Sequence, residues 1–208
     1  MSLNEIKEAY KFSVEPSSEI IKLIKEICGK SNTKIKKLPL NDKCELLNML
    51  NIISKSNKEN ILKKFELFTG KWNNEFQDVF FKVICSQHLY TDIYIDMFKC
   101  ISQKYQTNLI TRILELKDKD MLPLELKTAG AFLGKWLLFC NINVCEFFER
   151  KCINVQEKTS MVITTLITVC KVNKQLNYTN NNLYKTLKTL KLSTSSQLLL
   201  YDLEDLFE

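Results

Sequence analysis

The sequence predicts an all-α protein, and three observations support this. Of 208 residues, only four are Gly and three are Pro. An all-β chain needs a turn about every 8 to 12 residues, so these turn formers are too few for one. Apolar residues make up 45% and charged residues 26% of the chain, which excludes disorder throughout. Apolar side chains recur at the three- and four-residue spacing of amphipathic helices.

Residues 1–40 are predicted to form a lead segment, one extra helix and a basic linker. Ser17 or Ser18 can cap a helix that runs to about Gly29. Its apolar stripe is Ile20, Ile21, Ile24 and Ile27. The linker, KSNTKIKKLPL, follows and ends near Pro39.

Residues 41–208 are predicted to form the main domain from ten short helices. We place them at residues 41–54, 57–70, 74–86, 91–104, 108–117, 123–140, 143–153, 156–172, 180–190 and 193–208. Asn57 is a candidate cap, Gly70 a stop, Pro123 a first-turn residue, and Ser193 or Thr194 the last cap. A pair every 35–40 residues or so predicts a HEAT-repeat solenoid of about five antiparallel helix pairs. A globular bundle of four or five helices is the alternative.

Residue patterns typical of enzymes and metal sites are weak. The single His88 lies at a predicted turn without a nucleophile nearby, which favours a structural or surface role. Cys140, Cys145 and Cys152 lack the paired spacing of zinc ligands. We expect no catalytic residues, no metal and no cofactor, and we expect the cysteines to be reduced, buried thiols.

Ala129 to Lys135 partly matches a phosphate-binding loop. Trp136 stands where that loop needs a hydroxyl, and no strand precedes it. Gly130 and Gly134 therefore predict a close contact between two helices.

The location expected for the chain is cytoplasmic. The N-terminus, MSLNEIKEAYK, is charged from its start, so we expect no signal peptide. Polar residues interrupt every apolar stretch of membrane-spanning length, so no membrane association is expected.

Two charged surfaces are candidate binding sites. Lysines in the linker and in the second helix of the main domain predict weak, sequence-independent RNA contact, because Lys supplies charge with little base discrimination. They are Lys34, Lys36, Lys37, Lys63 and Lys64. The last helix is acidic, with Asp202 and Asp205 following a stretch rich in Lys. This favours either a docking edge for a basic partner or a solvated face.

The order of these helices resembles the middle domain of translation initiation factor 4G over about residues 41–208. Val79-Phe80-Phe81-Lys82-Val83-Ile84-Cys85 is similar to that family's V-x-x-I-F-x-K-A helix. Phe132-Leu133-Gly134-Lys135-Trp136-Leu137 is similar to its F-I-G-E-L-F, and Asp202-Leu203-Glu204-Asp205-Leu206 to its D-V-L-D-L. Glu8-Ala9-Tyr10-Lys11-Phe12 resembles the A-W-K-P that precedes the first repeat.

The resemblance implies a non-enzymatic scaffold for translation initiation. Such a domain binds a DEAD-box RNA helicase of the initiation factor 4A type and stimulates its ATP hydrolysis. The implied partner-binding residues are Tyr10, Lys11, Leu198, Asp202 and Asp205. The chain would be a monomeric domain within a larger complex. Alternatives are an adaptor in another RNA pathway (decay, deadenylation or cap binding) and a helical module that binds RNA directly.

Overall fold

The computed structural model describes residues 42–173 and 178–207, which form ten α-helices and no strand. The all-α prediction is therefore confirmed for this part of the chain. The lead segment and the extra helix predicted within residues 1–40 lie outside the described residues. The helices are α1 (Asp42–Ile52), α2 (Lys58–Thr69), α3 (Asn74–Ser86), α4 (Thr91–Cys100), α5 (Gln103–Glu115), α6 (Pro123–Phe139), α7 (Val144–Arg150), α8 (Thr159–Val172), α9 (Asn182–Thr189) and α10 (Thr194–Glu204). Two 3-10 turns, His88–Tyr90 and Val155–Glu157, precede α4 and α8.

Several helices begin where a polar side chain accepts hydrogen bonds from their first turn. The side-chain oxygen of Asn73 accepts from the backbone N–H of Phe76 at 3.0 Å and caps α3. Asn143 caps α7 in the same way through two backbone N–H groups. These side chains satisfy donors that have no partner within the helix, so the local sequence fixes where these helices begin.

The predicted cap at Asn57 is wrong, although the residue does precede α2. Its amide nitrogen donates to the carbonyl of Ile52 and its amide oxygen accepts from the backbone N–H of Ser54, each at 2.7 Å. The side chain therefore closes the end of α1 and the following turn. The stop at Gly70 is confirmed, but its backbone is right-handed (φ −62°), so the position does not need a glycine's freedom.

The boundary between α4 and α5 also differs from the prediction, which had one helix running to Lys104 and the next beginning at Asn108. Helix α4 ends at Cys100 because Ile101 and Ser102 are extended. The side chain of Gln106 donates to the carbonyl oxygens of Phe98 and Ile101 at 3.1 and 2.7 Å. A side chain from the next helix thus satisfies the end of α4, and α5 begins early at Gln103.

Packing proceeds mostly between each helix and the next but one. Helix α1 packs on α3, and α2 packs on α4. Helices α3 and α4 both contact α6. Helix α6 packs on α8, and α8 packs on α10. Helices α2 and α3 and the loop between them share an aromatic cluster in which the rings of Phe65, Trp72 and Phe80 lie within 6.0 Å of one another. A single apolar core extends from α1 to α10.

The closest helix contact is between α6 and α8. A Cβ atom on Gly130 would lie 2.6 Å from the backbone oxygen of Met161, and one on Gly134 would lie 2.9 Å from that of Thr165. The hydroxyl of Thr165 donates to the carbonyl of Gly130 at 3.1 Å. The predicted close contact at these two glycines is confirmed, because no larger side chain fits between the backbones.

Candidate partner-binding face

The C-terminal end of the described chain is built from α9 and α10. Asn181 accepts from the backbone N–H of Leu183 at 2.8 Å and begins α9. The hydroxyl of Ser193 accepts from the N–H of Ser196 at 3.3 Å, which confirms the predicted cap of α10. Leu199, Leu200 and Leu203 are buried. Because α10 packs on α8, its opposite side is left to solvent.

That opposite side carries the residues that the resemblance singled out. Leu198, Asp202 and Asp205 are exposed and stand at the spacing of one helix face. The structure adds Tyr201, which the sequence reasoning missed although it occupies the i+3 position from Leu198 on the same stripe. Leu198 is 60% exposed and Tyr201 is 51% exposed. We call these four residues the outer face of α10.

The neighbouring acid, Glu204, is engaged within the protein. Its carboxylate accepts from Lys188 at 2.7 Å and from the hydroxyl of Tyr184 at 2.9 Å. The hydrogen bond from Lys188 holds the pKa of Glu204 below its ordinary value. Asp202 and Asp205 have no basic partner within the described ranges. The two aspartates are thus the carboxylates of α10 that are available to a binding partner.

Helix stability does not account for the acids at this position. Asp202 lies in the last turn of α10 and Asp205 directly follows it, where the carbonyl groups already give the helix end a partial negative charge. Each exposed acid there opposes the dipole by about 0.3–1 kcal/mol. An exposed leucine and tyrosine beside two unpaired carboxylates form a small amphipathic face at this end of α10.

The predicted basic residues of the main domain lie on α2, at a different place in the fold. Lys63 and Lys64 are exposed. Neither has an acidic partner in the part of the chain that the structure describes. Leu67 follows them on the same side of α2 and is 84% exposed. Both ammonium groups are therefore free to contact a polyanion.

Five of the predicted binding residues cannot be placed relative to these two surfaces. They lie outside the described residues and are Tyr10, Lys11, Lys34, Lys36 and Lys37. The structure therefore brings together only Leu198, Asp202 and Asp205 of the predicted partner site, and Lys63 and Lys64 of the predicted RNA site.

Lys135, which stood in the partial match to a phosphate-binding loop, forms an ion pair with Asp92. His88 is exposed in the 3-10 turn before α4. Within residues 42–173 and 178–207, no three His, Cys, Asp or Glu side chains are grouped closely enough to hold a metal ion.

The cysteines are only partly as predicted. The seven described cysteines are free thiols. Burial raises the pKa of Cys85 and Cys145 to about 12, so both stay protonated at neutral pH. The prediction of buried thiols is wrong for Cys44, Cys140 and Cys152, which are exposed. Cys140 and Cys152 lie just after the ends of α6 and α7, where the chain turns at the surface.

No single described helix is both long and apolar enough to cross a membrane. Helices α6 and α7 reach that length and composition only as a pair, and they are bent by 108° at the break between them.

Comparison of the chain with protein-family models, with curated proteins and with solved structures finds no match in any of the three.

Proposed function

We propose that this chain is a non-enzymatic scaffold that binds and stimulates a DEAD-box RNA helicase of the initiation factor 4A type. The proposal rests on the resemblance of its helices to the middle domain of initiation factor 4G. The observation that carries it is the outer face of α10, where Leu198, Tyr201, Asp202 and Asp205 are exposed together. An alternative within the same class is an adaptor in another RNA pathway, namely decay, deadenylation or cap binding.

The proposed architecture is a HEAT-repeat solenoid of about five antiparallel helix pairs. Packing of α1 on α3, α2 on α4 and α4 on α6 supports this, since stacked pairs bring each helix against its equivalent in the next pair. The contact between α3 and α6 joins helices three apart in sequence and departs from that simple order. A small-angle scattering curve of an elongated particle would support the solenoid, whereas that of a compact sphere would support the bundle.

The proposed mechanism is a shift between conformations of the helicase. A rigid scaffold that contacts both helicase lobes favours the lobe arrangement from which ATP hydrolysis proceeds. The helicase, and not this chain, would hold ATP and Mg²⁺. Charge on the outer face of α10 would then contribute to lobe orientation, and Tyr10 and Lys11 of the lead segment would contribute mainly to affinity.

The test is charge reversal on α10 with a matched control. We expect the Asp202→Lys/Asp205→Lys variant to stimulate the ATPase of a purified initiation factor 4A-type helicase at least about tenfold less than the unchanged chain, since the reversed charges now repel a basic partner. The control is Glu115→Lys/Glu149→Lys, which reverses two exposed acids in the last turns of α5 and α7. Tyr10→Ala should mainly raise the Kd for the helicase.

Equal loss of stimulation in both double variants would mean that net charge, and not the outer face of α10, determines the effect. If the unchanged chain does not stimulate the helicase ATPase, the proposed function is wrong. Circular dichroism of each variant confirms that it is folded before activity is compared.

A weak RNA contact through Lys63 and Lys64 is part of the proposal, because both ammonium groups are exposed and unpaired on α2. Binding of an oligouridylate should weaken as salt rises, since released counterions drive the association. The Lys63→Ala/Lys64→Ala variant should bind the oligouridylate more weakly at low salt, and its affinity should depend less steeply on salt concentration. RNA binding that survives high salt and distinguishes sequences would instead favour a dedicated RNA-binding module.

A further inference from the structure

A groove of about 430 Å³ lies between the segment that precedes α6 and the loop that joins α9 to α10. Its lining is mixed: the apolar side chains are Met121, Pro123, Leu126 and Leu190, and they lie among hydroxyl groups, one amide, two lysines and the carboxylate of Asp118. The first turn of α6 supplies two of these side chains, and the α9–α10 loop closes the groove from the opposite side. This volume lies in the range of natural ligand sites and accommodates one or two large side chains.

The apolar character of the groove continues onto the protein surface. Leu122 is 68% exposed and Leu124 is 54% exposed, on either side of Pro123. Single exposed leucines are common, but leucines that adjoin an apolar groove extend one continuous surface. Such a surface is typical of sites that bind another protein.

Two lysines border this groove and are unpaired. Lys119 and Lys191 both line it and are exposed. Neither forms a salt bridge with any acid of the described residues. The groove therefore combines apolar side chains with positive charge contributed from its two sides.

One acid, Asp118, lines the groove, and it forms no salt bridge with either lysine. The side chain of Asp118 accepts from the backbone N–H of Ser160 at 3.1 Å and from the hydroxyl of Thr159, so it caps α8. Glu157 pairs with Lys117 at 2.6 Å. Asp120 is exposed but does not line the groove. Charge complementarity therefore calls for carboxylates on the ligand.

We propose that this groove binds a short acidic peptide segment of a partner protein, with one large apolar side chain in the groove and carboxylates beside it contacting Lys119 and Lys191. An apolar anchor would be buried against Met121 and Leu190, and the flanking acids would fix its register. Single-stranded RNA fits less well, because phosphates would face the apolar lining and the exposed leucines. The site shares no residue with the outer face of α10.

The experiment uses a random dodecapeptide library displayed on phage and selected on the immobilised full chain. We expect enriched sequences to carry Leu, Ile, Met or Phe with Asp or Glu on both sides. A synthetic, fluorescein-labelled copy of the most enriched peptide should bind the Lys119→Glu/Lys191→Glu variant at least about tenfold more weakly than the unchanged chain. Leu122→Ser, a change at an exposed position, should weaken it about threefold.

The matched control is Lys63→Glu/Lys64→Glu, which places the same charge change on α2 and should leave peptide affinity unchanged. Three outcomes would overturn the proposal: no enrichment of acidic–apolar sequences, peptides insensitive to the change at Lys119 and Lys191, or oligouridylate binding that depends on those two lysines. The helicase ATPase assay is scored separately with the α10 variants, so the two proposals can fail independently.

Discussion

Replacing Gly130 by Ala tests the contact between α6 and α8 directly. The added methyl group would lie 2.6 Å from the backbone oxygen of Met161 and 3.0 Å from the Cβ of Thr164. A backbone oxygen cannot rotate away as a side chain can, so the two helices must shift apart. Overpacking of this kind costs about 1–3 kcal/mol. Because the contact would be with a backbone oxygen at only 2.6 Å, the cost lies in the upper part of this range, at about 2–3 kcal/mol. Ala gains about 1 kcal/mol over Gly in a helix interior, which leaves a net loss of about 1–2 kcal/mol.

The assay is thermal unfolding of the whole chain, followed by circular dichroism. For a protein of this length, each kcal/mol shifts Tm by about 2–4 °C, so Gly130→Ala should lower Tm by about 2–8 °C. Gly70→Ala is the matched control: no atom lies within 4 Å of the new Cβ, and its φ of −62° suits any residue. That variant should keep its Tm or gain slightly, because Ala restricts the unfolded chain.

A Gly130→Ala protein that unfolds at or above the Tm of the unchanged chain would contradict this prediction. An unchanged or higher Tm would mean that the helix propensity of Ala outweighs its close contact with the backbone of Met161, and that α6 and α8 are not held at the separation described. Gly134→Ala adds a second measurement, because its Cβ would meet the oxygen of Thr165 and the Cβ of Thr168, each at 2.9 Å. It should therefore also destabilise the chain, by less than the change at Gly130.

Two further predictions concern titratable side chains. Burial raises the pKa of Cys85 and Cys145 to about 12, so these two thiols should react with a thiol reagent only when the protein unfolds. Cys44 and Cys152 lie at the surface and should react in the native state. Mass-spectrometric mapping that finds early labelling of Cys85 or Cys145 would contradict this prediction. Because Lys188 lowers the folded-state pKa of Glu204, that pair should stabilise the fold above the ordinary carboxyl value of 4.5 and lose its effect as pH falls through the lower folded value. Lys188→Met should therefore lower the urea midpoint of unfolding at about pH 7 and change it little at about pH 3. An equal decrease at both pH values would show that lost packing, and not lost charge, is responsible.

Helix boundaries set by local side chains could be predicted from the sequence, whereas boundaries set by distant ones could not. The starts of α6 at Pro123 and of α10 after Ser193 follow from residues at the boundary itself. Helix α8 was predicted to begin at Gln156, yet it begins at Thr159, because Asp118 supplies the acceptor for its first turn from the loop after α5. A cap more than forty residues away in sequence leaves no local pattern.

Of the two candidate binding sites, one could likewise be predicted from local sequence and the other could not. The outer face of α10 could be anticipated from the spacing of Leu198, Asp202 and Asp205 on one helix. The groove beside Lys119 and Lys191 could not, because its two lysines come from loops that only the packing of α8 against α6 and α10 brings together. Which charges are free also required the structure, since Glu204 resembles its neighbours in sequence but is paired with Lys188.

Helix α8 is buried on nearly all sides, and this has a consequence for how the protein folds and opens. Its sequence, TSMVITTLITVCKV, is dominated by β-branched residues, which are poor helix formers. An isolated peptide of this composition and length would hold little helical structure in water. The helical form of α8 therefore depends on its neighbours α6 and α10, and it is expected to form together with them and not before them. Its backbone amides can exchange with solvent only when those neighbours detach, so α8 reports the cooperative opening of this half of the molecule and not local fraying.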